Sequence, residues 1–499
     1  MAFRLQVHSN RSSIGTRLRR VRRTRSEKPF VGSLDMEDYR GHIRAKMEAA
    51  GLSSAAIRAF LFQYDKLAAT DAGLIEENAI SAIQSLPSID REPVPTDGSA
   101  LVAKTVVLKL NGGLGTSMGL EKAKSLLRVR RELTFLDIIV RQFMHLRDSG
   151  GPGLRLLFMN SFSTSADTAE ALAAYPALGV PGKMELMQNK VPKIEVKSLA
   201  PVKWPDNPTL EWCPPGHGDI YPSLLGSGLL DRLLNDGKEF LFVSNSDNLG
   251  ATVDLRLLGF FAKADAPFLM EVVGRTPADR KGGHLARRNS DQRLLLRESA
   301  QCPEQDLIMF QDIDRHRYFN TNNLWIRLSA LRRELDRGDG LLPLPLIRNE
   351  KTVDPRDRST PKVYQLETAM GAAIECFDRA VAIQVGRNRF SPVKTTSDLL
   401  AVRSDAYELD SDFRLELRSE RNGVPPVVKL SDQYKLVDQF EPLVAGGIPS
   451  LIGCKSLTVE GKLAFDPGVE IAGDVKFAGQ GPETKRIRSG YYKDTVVVL

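Results

Sequence analysis

The short β-branched run Thr105-Val106-Val107-Leu108 passes directly into Lys109-Leu110-Asn111-Gly112-Gly113-Leu114-Gly115-Thr116-Ser117-Met118-Gly119, eleven residues of which four are glycine. A run of that kind forms a parallel strand buried on both faces. A glycine-rich loop at its carboxyl end lets backbone N–H groups approach a polyanion, because glycine takes φ > 0 without steric cost. Together they restrict the chain to an α/β sheet whose ligand crevice lies at the carboxyl ends of the strands. Spacing excludes two common phosphate loops: Gly119 is followed by Leu120-Glu121 rather than Lys-Ser/Thr, and Gly113, Gly115 and Gly119 run one residue too long for G-x-G-x-x-G.

The same pattern continues from Leu101. Strand candidates 154–159, 240–244, 268–273 and 381–385 alternate with amphipathic stretches, one of which carries Phe135, Ile138, Ile139, Phe143 and Leu146. Such alternation predicts a doubly wound, mixed or parallel, Rossmann-like α/β sheet covered on both faces. Ahead of it, Ile43, Met47, Leu52, Ile57, Phe60 and Leu61 recur at helical spacing and predict two short helices broken near Gly51. Beyond about Val427, β-rich segments are punctuated by Gly461, Pro467-Gly468, Gly473 and Gly479, which suits either the rungs of a short β-helix or an antiparallel meander. The resulting divisions are a basic tail (1–38), a helical region and linker (39–100), an α/β domain (101–400), and a linker with a carboxyl-terminal β domain (401–499).

The net charge of +7 is localised. The first 30 residues hold nine Lys or Arg against one acid, Glu27, a net of +8, so the other 469 residues carry −1. The tail has the composition of a disordered extension, a transit peptide or an anion-binding arm. The near-neutral remainder, without basic and aromatic residues interleaved, argues against nucleic acid as the partner. No apolar run is long enough to span a membrane, and Cys213, Cys302, Cys376 and Cys454 lack C-x-x-C spacing, as in a reduced, cytoplasmic protein.

Two further segments carry chemistry. Asn245-Ser246-Asp247-Asn248 closes the apolar run Phe240–Ser244, so Asp247 either holds a hard cation such as Mg²⁺ at the crevice or belongs to an ordinary Asn/Asp turn. Trp212-Cys213-Pro214-Pro215-Gly216-His217-Gly218-Asp219 is a stiff loop displaying one histidine, which reads as a hydrogen-bonded structural residue or as a ligand to substrate.

The string K-L-N-G-G-L-G-T-S-M-G resembles the nucleotide-binding loop of the eukaryotic-type UTP–glucose-1-phosphate uridylyltransferases, in which P-K-S follows shortly. Here Lys122-Ala123-Lys124-Ser125 keeps the lysine and lacks the proline, and Glu121 stands where the family pattern is basic. Related N-acetylhexosamine enzymes carry G-G-x-G-T-R-L-G, so Thr116-Ser117-Met118 sides with the glucose enzymes. Matches continue in family order over roughly residues 40–480, through Gln188-Asn189-Lys190-Val191-Pro192, the Gly216-His217 loop, Met270-Glu271-Val272, Asp279–Gly283, Phe319–Trp325, Gln365–Gly371 and Arg389–Leu399.

The resemblance implies roles. Leu110, Asn111, Gly112 and Gly113 hold the nucleotide, Gln188 and Gly216 the uracil, and Lys124 the phosphates. Asp247 binds Mg²⁺ beside the nucleotide, and Lys394 meets the α-phosphoryl and pyrophosphate oxygens. His217, Asn245, Asn323 and Glu367 line the sugar phosphate side. It also implies a nucleotidyltransferase core with residues 101–400 as the catalytic domain, a left-handed β-helix at the carboxyl end, with scope for a homo-oligomer through that domain, and UTP and glucose 1-phosphate as substrates. Glucose 1-phosphate is already an oxyanion at neutral pH, so neither a general base nor a covalent intermediate is required; the obstacle is bringing two polyanions together. Rival expectations are a broader UDP-sugar pyrophosphorylase and a catalytically silent binding protein.

Overall fold

The computed structural model describes residues 33–69, 73–95, 97–130 and 132–499; the Arg-rich segment 1–32 lies outside the described residues. A ten-stranded sheet forms the centre. Phe240–Asn245, Thr105–Leu110, Arg155–Asn160 and Glu185–Met187 run parallel side by side. Side chains alternate across it as a strand requires: Val107, Phe240 and Phe242 enter the core on one face, and Val106, Leu108, Leu241 and Val243 that on the other. Helix Phe135–Asp148 covers the first face and starts at a capping box between Thr134 and Asp137. Helices Ile220–Gly226, Leu229–Asn235 and Leu328–Arg337 cover the second.

The sheet is mixed rather than parallel throughout. Tyr318–Arg327 inserts antiparallel between Phe240–Asn245 and Phe268–Gly274, and the latter pairs in parallel with Val381–Gln384. Only Leu324-Trp325-Ile326 of this ten-residue strand is an apolar run; Asn320-Thr321-Asn322-Asn323 disguises the rest. Polar residues persist there because that end of the strand runs into the crevice.

The helices Ser33–Ala49 and Ser54–Ala68 form with the expected break, Ser53 capping the second, and helix begins inside the span read as tail. Ile43, Met47, Phe60 and Leu61 pack on Val191, Cys213 and Leu366, so this region braces the segments that flank the Gly216-His217 loop. At the carboxyl end Val427–Leu430, Ser450–Glu460, Val469–Ala478 and Gly490–Val498 all pair in parallel, as do Leu463–Phe465 and Lys485–Ile487. Parallel pairing rules out the antiparallel meander. Leu457, Val459, Leu463, Phe465, Val475, Phe477 and Ile487 are buried within the core that this stack shares with the main sheet.

Candidate functional site

Leu110 and Asn245 are register partners, and Asn160 ends the neighbouring strand, so three strand ends open side by side onto one crevice. The glycine loop turns back over that edge. Gly115 and Gly119 lie in the left-handed region (φ +72° and +75°), and the Lys124 N–H donates to the Gly113 carbonyl at 3.1 Å. A Cβ on Gly113 would meet nothing within 4 Å, so its backbone faces open space. Asn111 is buried; its amide donates to Asn160 Oδ1 (2.8 Å) and Thr168 Oγ1 (2.9 Å), which ties the loop down from beneath.

The turn brings Lys124 to Asp247, Nζ to Oδ2, at 2.6 Å. Both side chains are about one-sixth exposed (15% and 16%), and the other Asp247 oxygen, Oδ1, is buried without a hydrogen-bond partner. Lys394 arrives on the loop after Val381–Gln384, where the Val393 N–H donates to the Asp247 carbonyl at 3.1 Å. Its backbone N–H is held by Asp398, and its side chain is exposed. The ammonium is near enough to depress the basicity of His217 and to offset the burial of Glu298. Thus Lys124 pairs with Asp247, and the loop that carries Lys394 is pinned to the same aspartate, although the three residues are separated widely in sequence.

The opposite wall is the Gly216-His217 loop. Gln188 donates from Nε2 to the Gly216 carbonyl (2.9 Å), and a Cβ on Gly112 would sit 2.7 Å from Gln188 Oε1, so Gly112, Gln188 and Gly216 are contiguous. Gly216 has φ +78°, and any side chain there would strike the Thr368 carbonyl at 2.6 Å. Gly216→Ala is therefore strained twice, and the kcat/KM of the protein is expected to fall on the order of 10²-fold in steady-state assays. Wild-type kinetics would show that the loop tolerates a different path. Glu367, half-buried, precedes Thr368; burial raises its carboxyl and a hydrogen bond with Asn349 opposes the rise.

His217 accepts the Met370 N–H at Nδ1 (2.9 Å), which leaves Nε2–H as the donor. Burial, reinforced by Lys394, pushes it down to about 4 from 6.5. The depressed group contributes stability that is complete above pH 6.5 and is lost as pH falls through about 4. His217 is accordingly a neutral donor, and the pH profile of kcat/KM is expected to carry no inflection from it between pH 6 and 8; an inflection there that disappears in His217→Gln would contradict this.

Two sets of side chains that the sequence left in the background hold the walls. Asp219, 4% exposed, accepts from Asn189 N (2.7 Å), Asn189 Nδ2 and Ser223 Oγ, joining the Gln188 segment to the histidine loop. Burial raises its carboxyl to about 6 against these donors. Glu271, fully buried, takes two bonds of 2.8 Å from Arg389 and one of 2.8 Å from Trp325, while Asn248 accepts the Ser391 N–H and donates to the Arg389 carbonyl. These contacts anchor the loop that carries Lys394. Arg389→Met should cost about 3–5 kcal/mol in denaturant unfolding, since it leaves a buried carboxylate uncompensated. The signals were present in the sequence, an acid in the Gly-His-Gly-Asp string and a basic residue opening the Arg389–Leu399 string, but neither string says which side chain faces inward.

Asn245 is half-buried at the strand end beside the crevice. Asn323 is enclosed: its Nδ2 donates to Glu271 Oε2 (3.2 Å) and to the Arg389 carbonyl (3.3 Å), and Asn248 reaches its Oδ1 at 3.4 Å. Among the described residues no three His, Cys, Asp or Glu side chains converge as a metal cage. Asp247 Oδ1 nevertheless fits Mg²⁺, which is commonly held by one or two carboxylates and otherwise by substrate phosphates.

A glycine loop at the end of a parallel strand, with a Lys–Asp pair and a second lysine-bearing loop held beside it, defines a nucleotide-handling α/β protein. The family model described as UTP–glucose-1-phosphate uridylyltransferase matches residues 57–472, and the chain belongs to that family. It is 42% identical over 398 residues to the UTP–glucose-1-phosphate uridylyltransferase of Solanum tuberosum (79% of this chain, 81% of the relative) and 42% identical over 398 residues to that of Saccharomyces cerevisiae (80% and 78%). Among solved structures it is similar to the UDP-glucose pyrophosphorylase from Leishmania major, known in open and closed structures, with TM-score 0.88, 47% identity, and coverage of 93% of this chain and 99% of that one. A Trypanosoma brucei structure named UDP-glucose phosphorylase gives TM-score 0.86 at 48% identity, covering 93% and 100%.

Proposed function

We propose that this chain transfers the uridylyl group of UTP to glucose 1-phosphate, giving UDP-glucose and pyrophosphate. The observation that carries the reading is the meeting of Lys124, Asp247 and the Lys394 loop at one crevice. UTP lies with its base against Gly112, Gln188 and Gly216 and its phosphates along Leu110–Gly113, where Asn111 acts by fixing the loop. The glucose 1-phosphate oxyanion attacks the α-phosphorus in line, and pyrophosphate leaves on the opposite side. Lys124 and Lys394 spread the negative charge that builds up, in a crevice that water enters only partly. His217 donates its Nε2–H to a phosphate oxygen, and Asn245 and Glu367 face the sugar phosphate. Asn323 supports that wall through Glu271 and Arg389.

Mg²⁺, held by Asp247 Oδ1 and the substrate phosphates, would screen the two anions from each other. The carboxyl-terminal stack is read as a short β-helix. Parallel pairing from Leu457 to Val475 and on to Thr495 supports this, and the left-handed sense comes from the family resemblance. A cytoplasmic setting is proposed on reduced-type cysteine usage; among the described residues no helix is long and apolar enough to cross a membrane.

The test is pyrophosphate release by purified protein with Mg²⁺, UTP and a panel of hexose 1-phosphates. Release with glucose 1-phosphate well above the other sugars is expected. Comparable rates across the panel would establish a broad UDP-sugar enzyme, and no release with any sugar would establish a silent homologue.

A further inference from the structure

Away from the crevice, under helix Phe135–Asp148, the sheet holds a cavity of about 170 Å³. Its walls include Val107, Ile139, Phe143, Leu154, Leu156 and Phe242, and the side chain of Lys109 is also in its lining. Lys109 is 3% exposed and stands at the end of the strand that delivers the nucleotide loop. Its ammonium donates to Ser244 Oγ (2.8 Å) and to the Ala251 carbonyl (2.7 Å). An ammonium has three N–H donors, so one remains, and both acceptors are neutral. The carboxylate it senses, Glu271, is already engaged by two nitrogens of Arg389. Buried Arg297, by contrast, has two carboxylates of its own, Glu77 and Asp306. A buried cation without its own counter-charge is costly.

We propose that this cavity binds a small monocarboxylate with an apolar body, of about the size of benzoate, whose carboxylate pairs with Lys109. Shape and charge both select that class. An apolar cavity of about 150 Å³ accepts benzene, and Lys109 is the cation in this one's lining without a carboxylate of its own, since Arg414 stands 3.8 Å from Asp412. A neutral ligand would fill the walls and leave the ammonium uncompensated; a dianion would bring more charge than one N–H can meet.

The pairing has a proton signature. Burial, with a push from Arg389 and against the pull of Glu271, holds the Lys109 ammonium down to about 7, from 10.5. His145, Asp412 and Arg414 are the other charged or titratable groups lining the cavity, and His145 is paired with Asp412 at 3.1 Å. A carboxylate beside Lys109 stabilises its charged form, so binding takes up a proton. Affinity therefore falls as pH rises from 6 to 8, and a neutral ligand of the same shape shows no such loss.

The experiment titrates the full-length protein with benzoate and with benzyl alcohol, by saturation-transfer NMR and calorimetry, at pH 6 and pH 8. Benzoate is expected to bind the wild type, at least tenfold more weakly to Lys109→Met, and several-fold more weakly at pH 8 than at pH 6. Benzyl alcohol should bind wild type and Lys109→Met alike, which also reports that the variant is folded, and Leu146→Trp, which fills the cavity, should abolish both. If Lys109→Met does not fold, the pH dependence and Leu146→Trp decide. The proposal is overturned if benzoate does not bind the wild type, binds a folded Lys109→Met equally well, survives Leu146→Trp, or shows no pH dependence.

Discussion

Replacing Lys394 by alanine is expected to lower turnover by a factor on the order of 10² or more while leaving the unfolding transition almost unmoved. The two halves of that expectation have separate causes. The side chain is exposed in the crevice and adds nothing to the core, while the loop beneath it is held by contacts that alanine keeps: Val393 N–H to Asp247, the Lys394 N–H to Asp398, and Arg389 to Glu271. What is lost, on the proposed mechanism, is a charge that meets phosphate oxygens as negative charge shifts onto the departing pyrophosphate. Single-turnover rates at saturating UTP and glucose 1-phosphate measure this directly. A variant that turns over like the wild type removes the residue from the mechanism.

Asp247→Asn is expected to have an effect at least as large, about 10²-fold or more in turnover, with a raised Mg²⁺ requirement. The carboxamide is isosteric, and the backbone bond from Val393 remains, so the turn should keep its shape. The charge that pairs with Lys124 at 2.6 Å disappears, and one of the two oxygens becomes an NH2 group that cannot bind a cation. A double-mutant cycle with Lys124→Met distinguishes the two losses. If the aspartate serves only to position the lysine, the double variant is no worse than the poorer single one; if it also holds the cation, Asp247→Asn remains the slower and alone shifts the Mg²⁺ titration. An unchanged Mg²⁺ titration in Asp247→Asn would sink its role as the metal ligand.

The sheet that carries these two residues was legible from the sequence. Apolar β-branched runs such as Val106–Leu108 and Phe240–Val243 announce buried parallel strands because each residue is covered on either face. Tyr318–Arg327 was not legible as a strand, since a strand that enters a polar crevice loses the periodicity by which strands are recognised. Nor were the supports. Asp219, Asn248 and the Glu271–Arg389 pair act by touching one another across long stretches of chain, and one sequence records no distances. Asn323 illustrates the cost: its motif pointed to the sugar, while its amide is engaged by Glu271, Arg389 and Asn248.

What the sequence determined alone is local: a glycine loop after a buried strand, a stiff Pro-Pro-Gly-His-Gly turn, and an acid at a strand end. Each follows from the conformations and burial open to short runs of residues, which neighbours in the chain suffice to restrict. Tertiary structure alone decided that Lys124 lies 2.6 Å from Asp247, that the Lys394 loop is pinned to the same aspartate, and that Lys109 is enclosed without a carboxylate of its own. Those facts depend on strand order and on which face each side chain takes, and they arise only when segments more than a hundred residues apart share one sheet.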